Sequence, residues 1–166
     1  MAISIREYRE TDIPEMANLW NEIVTEGVAF PKTDTLSPEE AAVFFRSQSR
    51  TGVAADGHGK ILGLYILHPN NLGRCSHIAN ASYAVSSTAR GMGIGEMLVK
   101  DSLSAARALS FRILQFNAVV RTNAPARHLY EKLGFVPLGI IPGGFRMDDH
   151  YEDIVLYYHT LETDRR

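Results

Sequence analysis

Apolar and polar positions in the first third of the chain predict one strand followed by two helices. Alternation over residues 2–8 is typical of a half-buried strand. Spacings of three and four residues place Met16, Leu19, Trp20 and Ile23 on one face of a helix. This helix is predicted to begin at Asp12, with Glu15 completing a capping box.

The second predicted helix follows a loop at residues 27–35. Ser37 is its expected N-cap, Pro38 occupies its first position and Glu40 is the expected capping partner. The helix extends through the apolar residues 43–45.

The middle of the chain predicts an antiparallel meander that leads into a long helix. Apolar segments at residues 53–56 and 61–68 flank a glycine-containing hairpin turn, and residues 77–85 predict a fourth strand. In the helix that follows, Glu96 is placed to pair with Lys100. The predicted buried stripe of this helix consists of Ile94, Leu98, Ala105 and Leu109.

The last third of the chain predicts a fifth strand at residues 113–119 and a fourth helix at 123–133. Ala126, Leu129 and Leu133 form the expected buried stripe of this helix, and Gly134 is its expected left-handed stop. Closing strands are predicted at residues 135–139 and 151–158, with a turn at 142–144. The acidic stretch 148–153 is interpreted as a solvated loop.

The length of 166 residues indicates a single domain spanning residues 1–166, and its apolar content of 45% is enough for a buried core. The formal net charge of −2 argues against nucleic acid as a main partner. Charges near the start of the chain argue against a signal peptide, and the longest apolar run is too short for a membrane span. The lone Cys75 is interpreted as an inert thiol. We therefore expect a soluble, cytoplasmic protein without membrane partners.

A glycine-rich turn precedes the third helix and predicts a phosphate-binding site. Alternating glycines allow the backbone to approach a ligand closely, and a helix N-terminus presents free N–H groups to an anion. The spacing matches neither the dinucleotide fingerprint nor the Walker loop. The residues of this turn are Arg90, Gly91, Met92, Gly93, Ile94 and Gly95.

Two motifs together resemble those of the GNAT N-acetyltransferase superfamily. Arg90, Gly93 and Gly95 match the spacing of its acetyl-CoA pyrophosphate loop. Residues 123–135, with Asn-Ala followed by Leu-Tyr-Glu-Lys-Leu-Gly-Phe, resemble its second signature at the expected distance. The resemblance is specific over residues 83–135. It implies an α/β fold with a mixed, mostly antiparallel sheet of about seven strands, splayed between strands 4 and 5, and about four helices.

The resemblance also implies a cofactor site and one catalytic residue. Tyr130 occupies the position of the family's general acid, and Asn123 is expected both to cap its helix and to contact the cofactor. Acetyl-CoA is the implied co-substrate, and no metal is expected. The other implied cofactor-binding residues are Tyr83, Ala84 and Val85 by backbone pairing, Arg90 by charge, and Gly91, Met92, Gly93, Ile94, Gly95 and Glu96 by their N–H groups.

The residue that deprotonates the acceptor amine is left open by the sequence. Related enzymes often place a carboxylate on the fourth strand, but residues 77–83 contain none. His77, Glu26 and water relayed by Asn80 or Ser82 are the three candidates.

The predicted function is acetyl transfer to a primary amine of a small molecule such as an amino acid. Residues 24–45 faintly resemble the phosphinothricin-type acetyltransferases, which acetylate such amines. The alternatives are a protein N-terminal or lysine acetyltransferase and a non-catalytic acyl-CoA-binding module. A homodimer is common among relatives and is left open.

Overall fold

The computed structural model describes residues 2–162 of the chain; Met1 and residues 163–166, the ends of the predicted domain, lie outside the described part. Within this part, seven strands form one sheet, and four α-helices cover its two faces. The helices are α1 (Ile13–Glu26), α2 (Pro38–Arg46), α3 (Ile94–Ala108) and α4 (Ala124–Lys132). The strands are β1 (Ser4–Glu7), β2 (Arg50–Ala55), β3 (Ile61–Pro69), β4 (Ile78–Val85), β5 (Ile113–Val120), β6 (Val136–Arg146) and β7 (Tyr151–Thr160).

The strands lie in the order β1-β2-β3-β4-β5-β7-β6. All neighbours are antiparallel except β4 and β5, which are parallel. This pair is short, because it runs only from Ile78 opposite Ile113 to Asn80 opposite Gln115. Beyond Asn80 the two strands diverge. The predicted fold class, including the opening between the fourth and fifth strands, is confirmed.

Each face of the sheet has its own apolar core. On one face, α1 and α2 bury Met16, Trp20 and Phe45 against the sheet. On the other face, α3 packs Leu98 against the sheet, and α4 adds half-buried residues that include Leu129. The opening between β4 and β5 therefore lies between two helical layers.

Local signals correctly predicted several helix ends. The Ser37 hydroxyl accepts a hydrogen bond from the Glu40 N–H, and the Glu40 carboxylate accepts one from the Ser37 N–H. Gly134 ends α4 with a φ of +92°, which favours glycine. The predicted ion pair between Lys100 and Glu96 forms with a distance of 2.9 Å.

The predicted capping box of α1 is wrong, because its two acidic residues bind other partners. The Asp12 carboxylate accepts bonds from the Arg6 guanidinium and the Arg9 N–H. The Glu15 carboxylate accepts the Ile61 N–H at 3.0 Å. These bonds attach both ends of the first α1 turn to the sheet.

Two further predictions are corrected. Leu109 follows the end of α3 and is 46% exposed, so it does not belong to the buried stripe. Residues 142–144 do not form a turn between strands but lie within the long strand β6. They form an irregularity in its pairing with β7, where the Gly143 N–H donates to the Asp153 carboxylate at 3.0 Å.

Candidate active site

A cleft lies where β4 and β5 separate. The Asn80 amide donates to the Gln115 carbonyl at 2.9 Å, and this bond closes the cleft at its narrow end. The cleft has a volume of about 170 Å³. Its walls are formed by residues 80–83 of β4, residues 116–120 at the end of β5, residues 29–31 of the α1–α2 loop, and Asn123, Ala126 and Tyr130.

The glycine-rich turn connects the end of β4 to the N-terminus of α3. Gly91 and Gly93 have φ values of +81° and +77°, a conformation that side chains disfavour. The first helical hydrogen bond runs from the Met97 N–H to the Gly93 carbonyl, so the N–H groups of residues 94–96 have no carbonyl partner within α3. Gly95 lies against α4, since a Cβ there would be 3.4 Å from the Leu129 side chain, in ordinary van der Waals contact. The turn is therefore an open set of main-chain donors.

Arg90 is already paired with an acidic side chain. Its guanidinium donates to both carboxylate oxygens of Glu26, at 2.6 and 2.8 Å. A predicted anion-binding charge and a candidate base thus neutralise each other. The pair also attaches the end of α1 to the glycine-rich turn.

The predicted backbone contacts, Tyr83, Ala84 and Val85, lie on β4 beyond the point of divergence. Their partners on β3 are Tyr65, Leu64 and Gly63. Pairing with β5 ends at Asn80, so the β5-facing edge of these residues is available to another extended chain.

Tyr130 lines the cleft from α4 and packs among aromatic rings. Its ring centroid lies 4.5 Å from that of Phe116 and 6.3 Å from that of Tyr83. Its hydroxyl makes no hydrogen bond to any other residue between 2 and 162. Burial, and secondarily the nearby Tyr157, raise the pKa of Tyr130, so the phenol stays protonated at neutral pH.

Asn123 has the predicted capping role and also lines the cleft. Its side-chain oxygen accepts the Ala126 N–H at 3.3 Å. The capping bond uses only the side-chain oxygen of Asn123. Its side-chain NH₂ group can therefore donate to a ligand.

The structure separates the three candidates for the base. His77 is exposed and precedes β4, where its carbonyl accepts the Arg112 N–H at 2.9 Å; it does not line the cleft. Glu26 is bound to Arg90. Asn80 and Ser82, the proposed water relays, do line the cleft.

A second cavity, missed at the level of the sequence, adjoins the cleft on the α1–α2 face. It has a volume of about 500 Å³ and shares Phe30, Pro31, Asn80 and Ser82 with the cleft. Its remaining walls are formed by Trp20, Lys32, Phe44, Ser47, Gln48, Ile66 and His68. Alternation along the third strand could have suggested His68, but alternation alone does not define the register that places His68 opposite Asn80.

The other sequence features have local explanations. Three acidic residues of this stretch are paired: Asp149 and Glu152 with His150, the latter at 2.8 Å, and Asp153 with Arg121 at 3.0 Å. Cys75 is exposed. Between residues 2 and 162 no cluster of side chains suited to a metal ion is found. No helix of this described part combines the length and apolar character that crossing a bilayer requires.

Comparison with known proteins relates the sequence of this chain to a protein family. The model of the Acetyltransferase (GNAT) family matches residues 13–135. The chain is similar to the N-acetyltransferase aca1 of Schizosaccharomyces pombe, with 38% identity over 107 residues. That alignment covers 63% of this chain and 51% of aca1, so the chain spans about half the length of this relative.

Solved structures show the same fold along the chain. A GCN5-related N-acetyltransferase from Kribbella flavida superimposes with a TM-score of 0.89 at 34% identity, covering 96% of this chain and 98% of that one. A phosphinothricin acetyltransferase from Sinorhizobium meliloti, determined in complex with acetyl-CoA, has a TM-score of 0.90 at 22% identity. The superposition covers 97% of this chain and 89% of the Sinorhizobium chain. At 22% identity it shows that the two folds are similar.

Proposed function

The chain belongs to the GNAT family of acetyltransferases, and from this premise we propose that it transfers the acetyl group of acetyl-CoA directly to a primary amine of a small molecule. An amino acid or a similar metabolite is the proposed acceptor. The observation that supports the proposal is the continuity of three features: the donor-rich turn, the unpaired edge of β4 and the cleft that contains Tyr130.

Each part of this arrangement suits one portion of acetyl-CoA. The N–H groups of residues 91–96 would bind the diphosphate at the positive end of the α3 dipole. The free edge of Tyr83, Ala84 and Val85 would pair with the amides of the pantetheine arm as an added strand does. Acetyl-CoA supplies the acetyl group as a thioester.

Tyr130 and Asn123 would act where the pantetheine arm ends. Because the Tyr130 phenol keeps its proton, it can donate to the sulfur as negative charge develops there. The free amide N–H groups of Asn123 can orient the cofactor from the same helix terminus.

The second cavity supports a small acceptor in preference to a protein. It is bounded by the aromatic rings of Trp20, Phe30 and Phe44, and the Lys32 ammonium lies 4.4 Å from the Phe44 ring centroid. The buried Trp20 indole N–H has no acceptor among the described residues. The fold similarity to a phosphinothricin acetyltransferase supports the same class of acceptor.

The proposed compartment is the cytoplasm. Cys75 is an exposed free thiol, which persists in a reducing environment.

A thiol-release assay tests the proposed activity. Purified protein is incubated with acetyl-CoA and one amine at a time from a panel of amino acids, polyamines, aminoglycosides and peptides. We expect release with amino acids or similar small amines, and mass spectrometry identifies the acetylated product. Release with peptides alone would indicate a protein acetyltransferase. Binding of acetyl-CoA by calorimetry without release for any amine would indicate a binding module.

A further inference from the structure

The cleft faces an acceptor amine with neutral side chains only. Amines of amino-acid type are ammonium ions at neutral pH and must lose a proton before they can attack a thioester. Asn80 and Ser82, which lie at the junction of the cleft and the second cavity, cannot hold that proton. On the adjoining wall of the second cavity, the His68 imidazole is a side chain that can accept a proton at neutral pH.

His68 of β3 lies directly opposite Asn80 of β4 in the antiparallel register. Directly opposite residues have Cβ atoms about 4.5–5.5 Å apart and point to the same face. His68 and Asn80 accordingly line the second cavity together. The imidazole is half-buried and lines the second cavity beside Asn80, a residue that the second cavity shares with the cleft.

A fixed hydrogen-bond chain determines which ring nitrogen carries the proton. The Gln48 amide nitrogen donates to the Phe44 carbonyl at 3.0 Å, so the Gln48 Oε1 atom is directed to the His68 Nδ1 atom, 3.1 Å away. A carbonyl oxygen can only accept, so Nδ1 carries the hydrogen. His68 Nε2 then has a free lone pair, and it makes no hydrogen bond to any residue within 2–162.

The surroundings of His68 keep the imidazole neutral. Burial lowers the pKa of His68, and the Lys32 ammonium of the α1–α2 loop lowers it further. Gln48, after α2, and Asn80, on β4, carry no charge. An unprotonated Nε2 is thus present at neutral pH.

We propose that His68 Nε2 accepts the ammonium proton of the acceptor amine. This inference rests on the proposed function, since it names the proton acceptor of that reaction. One ammonium proton passes to Nε2 and then to solvent. The amine nitrogen forms a bond to the acetyl carbonyl carbon while the carbon–sulfur bond breaks, and its second proton replaces the one that Tyr130 donates to the sulfur.

Replacement of the imidazole tests the inference in the full chain. We expect His68→Gln to lower kcat by roughly two to four orders of magnitude with the best amine of the panel, because general-base catalysis contributes about that much. Acetyl-CoA affinity measured by calorimetry should not change. The matched control is His58→Gln, a histidine in the β2–β3 hairpin turn away from the cleft, which should retain wild-type turnover.

Two further readouts separate chemistry from a structural role. In wild-type protein kcat should fall toward acid pH through an inflection below the ordinary histidine value, and His68→Ala should be rescued by added imidazole. Nitrogen-15 NMR of the histidine side chains should show His68 in its Nδ1–H form at neutral pH.

The outcomes distinguish failure of the inference from failure of the proposed function. Wild-type kcat in His68→Gln, or an Nε2–H form by NMR, would overturn the role of His68 while the acetyltransferase activity stands. A wild-type protein that releases no thiol with any amine would overturn both.

Discussion

The position of Tyr130 among aromatic rings determines how it can act. Phe116, Tyr83 and Phe135 pack around the ring of Tyr130, which is half-buried in the wall of the cleft. A phenolate is disfavoured in such surroundings, which is why the pKa of Tyr130 is raised. Tyr130 is therefore suited to donate a hydrogen bond and unsuited to act as a base.

Removing this hydroxyl should affect turnover alone. We expect Tyr130→Phe to reduce kcat by roughly two to four orders of magnitude and to leave acetyl-CoA affinity unchanged, since the ring packing is retained. Steady-state kinetics and calorimetry measure the two quantities. Tyr8→Phe, a half-buried tyrosine outside the cleft, is the matched control. Full activity of Tyr130→Phe would remove the proposed role.

Glu26 should weaken acetyl-CoA binding rather than assist the reaction. We expect Glu26→Gln to release the Arg90 guanidinium for the diphosphate and to tighten acetyl-CoA binding about twofold to fivefold, because exposed ion pairs contribute about 0–1 kcal/mol. Calorimetry measures the affinity, with Glu39→Gln on α2 as the control.

The kinetics of the same Glu26 variant distinguish two candidate bases. If His68 accepts the proton, kcat should stay at the wild-type value. A loss of a hundredfold or more would instead assign the base to Glu26 and argue against His68.

Short motifs in the sequence predicted the positions of several candidate site residues. Asn123, Gly93 and Tyr130 lie in motifs with short-range geometry, and the structure places all three at the cleft or its adjoining turn. His68 could not be found this way. Its position opposite Asn80 depends on how two strands align across an eight-residue connection, and its tautomer depends on Gln48.

At the scale of elements, the turn before α3 should be the most sensitive segment for cofactor binding. We expect Gly93→Glu to abolish acetyl-CoA binding, because it places a carboxylate at the donor-rich turn and forces a side chain onto a φ of +77°. Gly59→Glu in the β2–β3 hairpin introduces the same side chain at a φ of +82° and is the matched control.

Both variants should lose a similar amount of stability, about 1–2 kcal/mol, because both impose a left-handed conformation on a non-glycine residue. Thermal unfolding without ligand measures this loss. Unchanged affinity in Gly93→Glu would refute the assignment of the turn to the diphosphate.

The sequence correctly predicted helix ends that are capped by residues adjacent in the chain. The Ser37 and Glu40 capping box is complete within four residues of chain, and α2 begins where it was predicted. At α1 the same type of signal was misleading, because Glu15 binds the Ile61 N–H, 46 residues away. Similarly, residues 142–144 have the composition of a turn, but they form an irregularity within β6 between Ile141 and Phe145, which both pair with β7.

For the molecule as a whole, the sequence left self-association open. Strand β6 presents a surface that favours it. This strand lies at the edge of the sheet and exposes Val136, Leu138, Ile140 and Ile141, each to between 46% and 58%. An edge strand with exposed apolar side chains can pair with another copy of itself.

We therefore expect a dimer in analytical ultracentrifugation that Leu138→Asp dissociates. Val43→Asp, at a 67% exposed apolar position on α2, is the control and should leave the dimer intact. A wild-type monomer at high protein concentration would contradict the prediction.

The brevity of the β4–β5 pairing has a mechanical consequence. Three residue pairs and the Asn80 side-chain bond are the direct sheet linkage between the half formed by β1–β4 and the half formed by β5–β7. A bound molecule whose amides form hydrogen bonds to both β4 and β5 would connect the two halves of the sheet. Heat tolerance and protection of the β4 and β5 amides from hydrogen exchange should therefore rise together when the opening is filled.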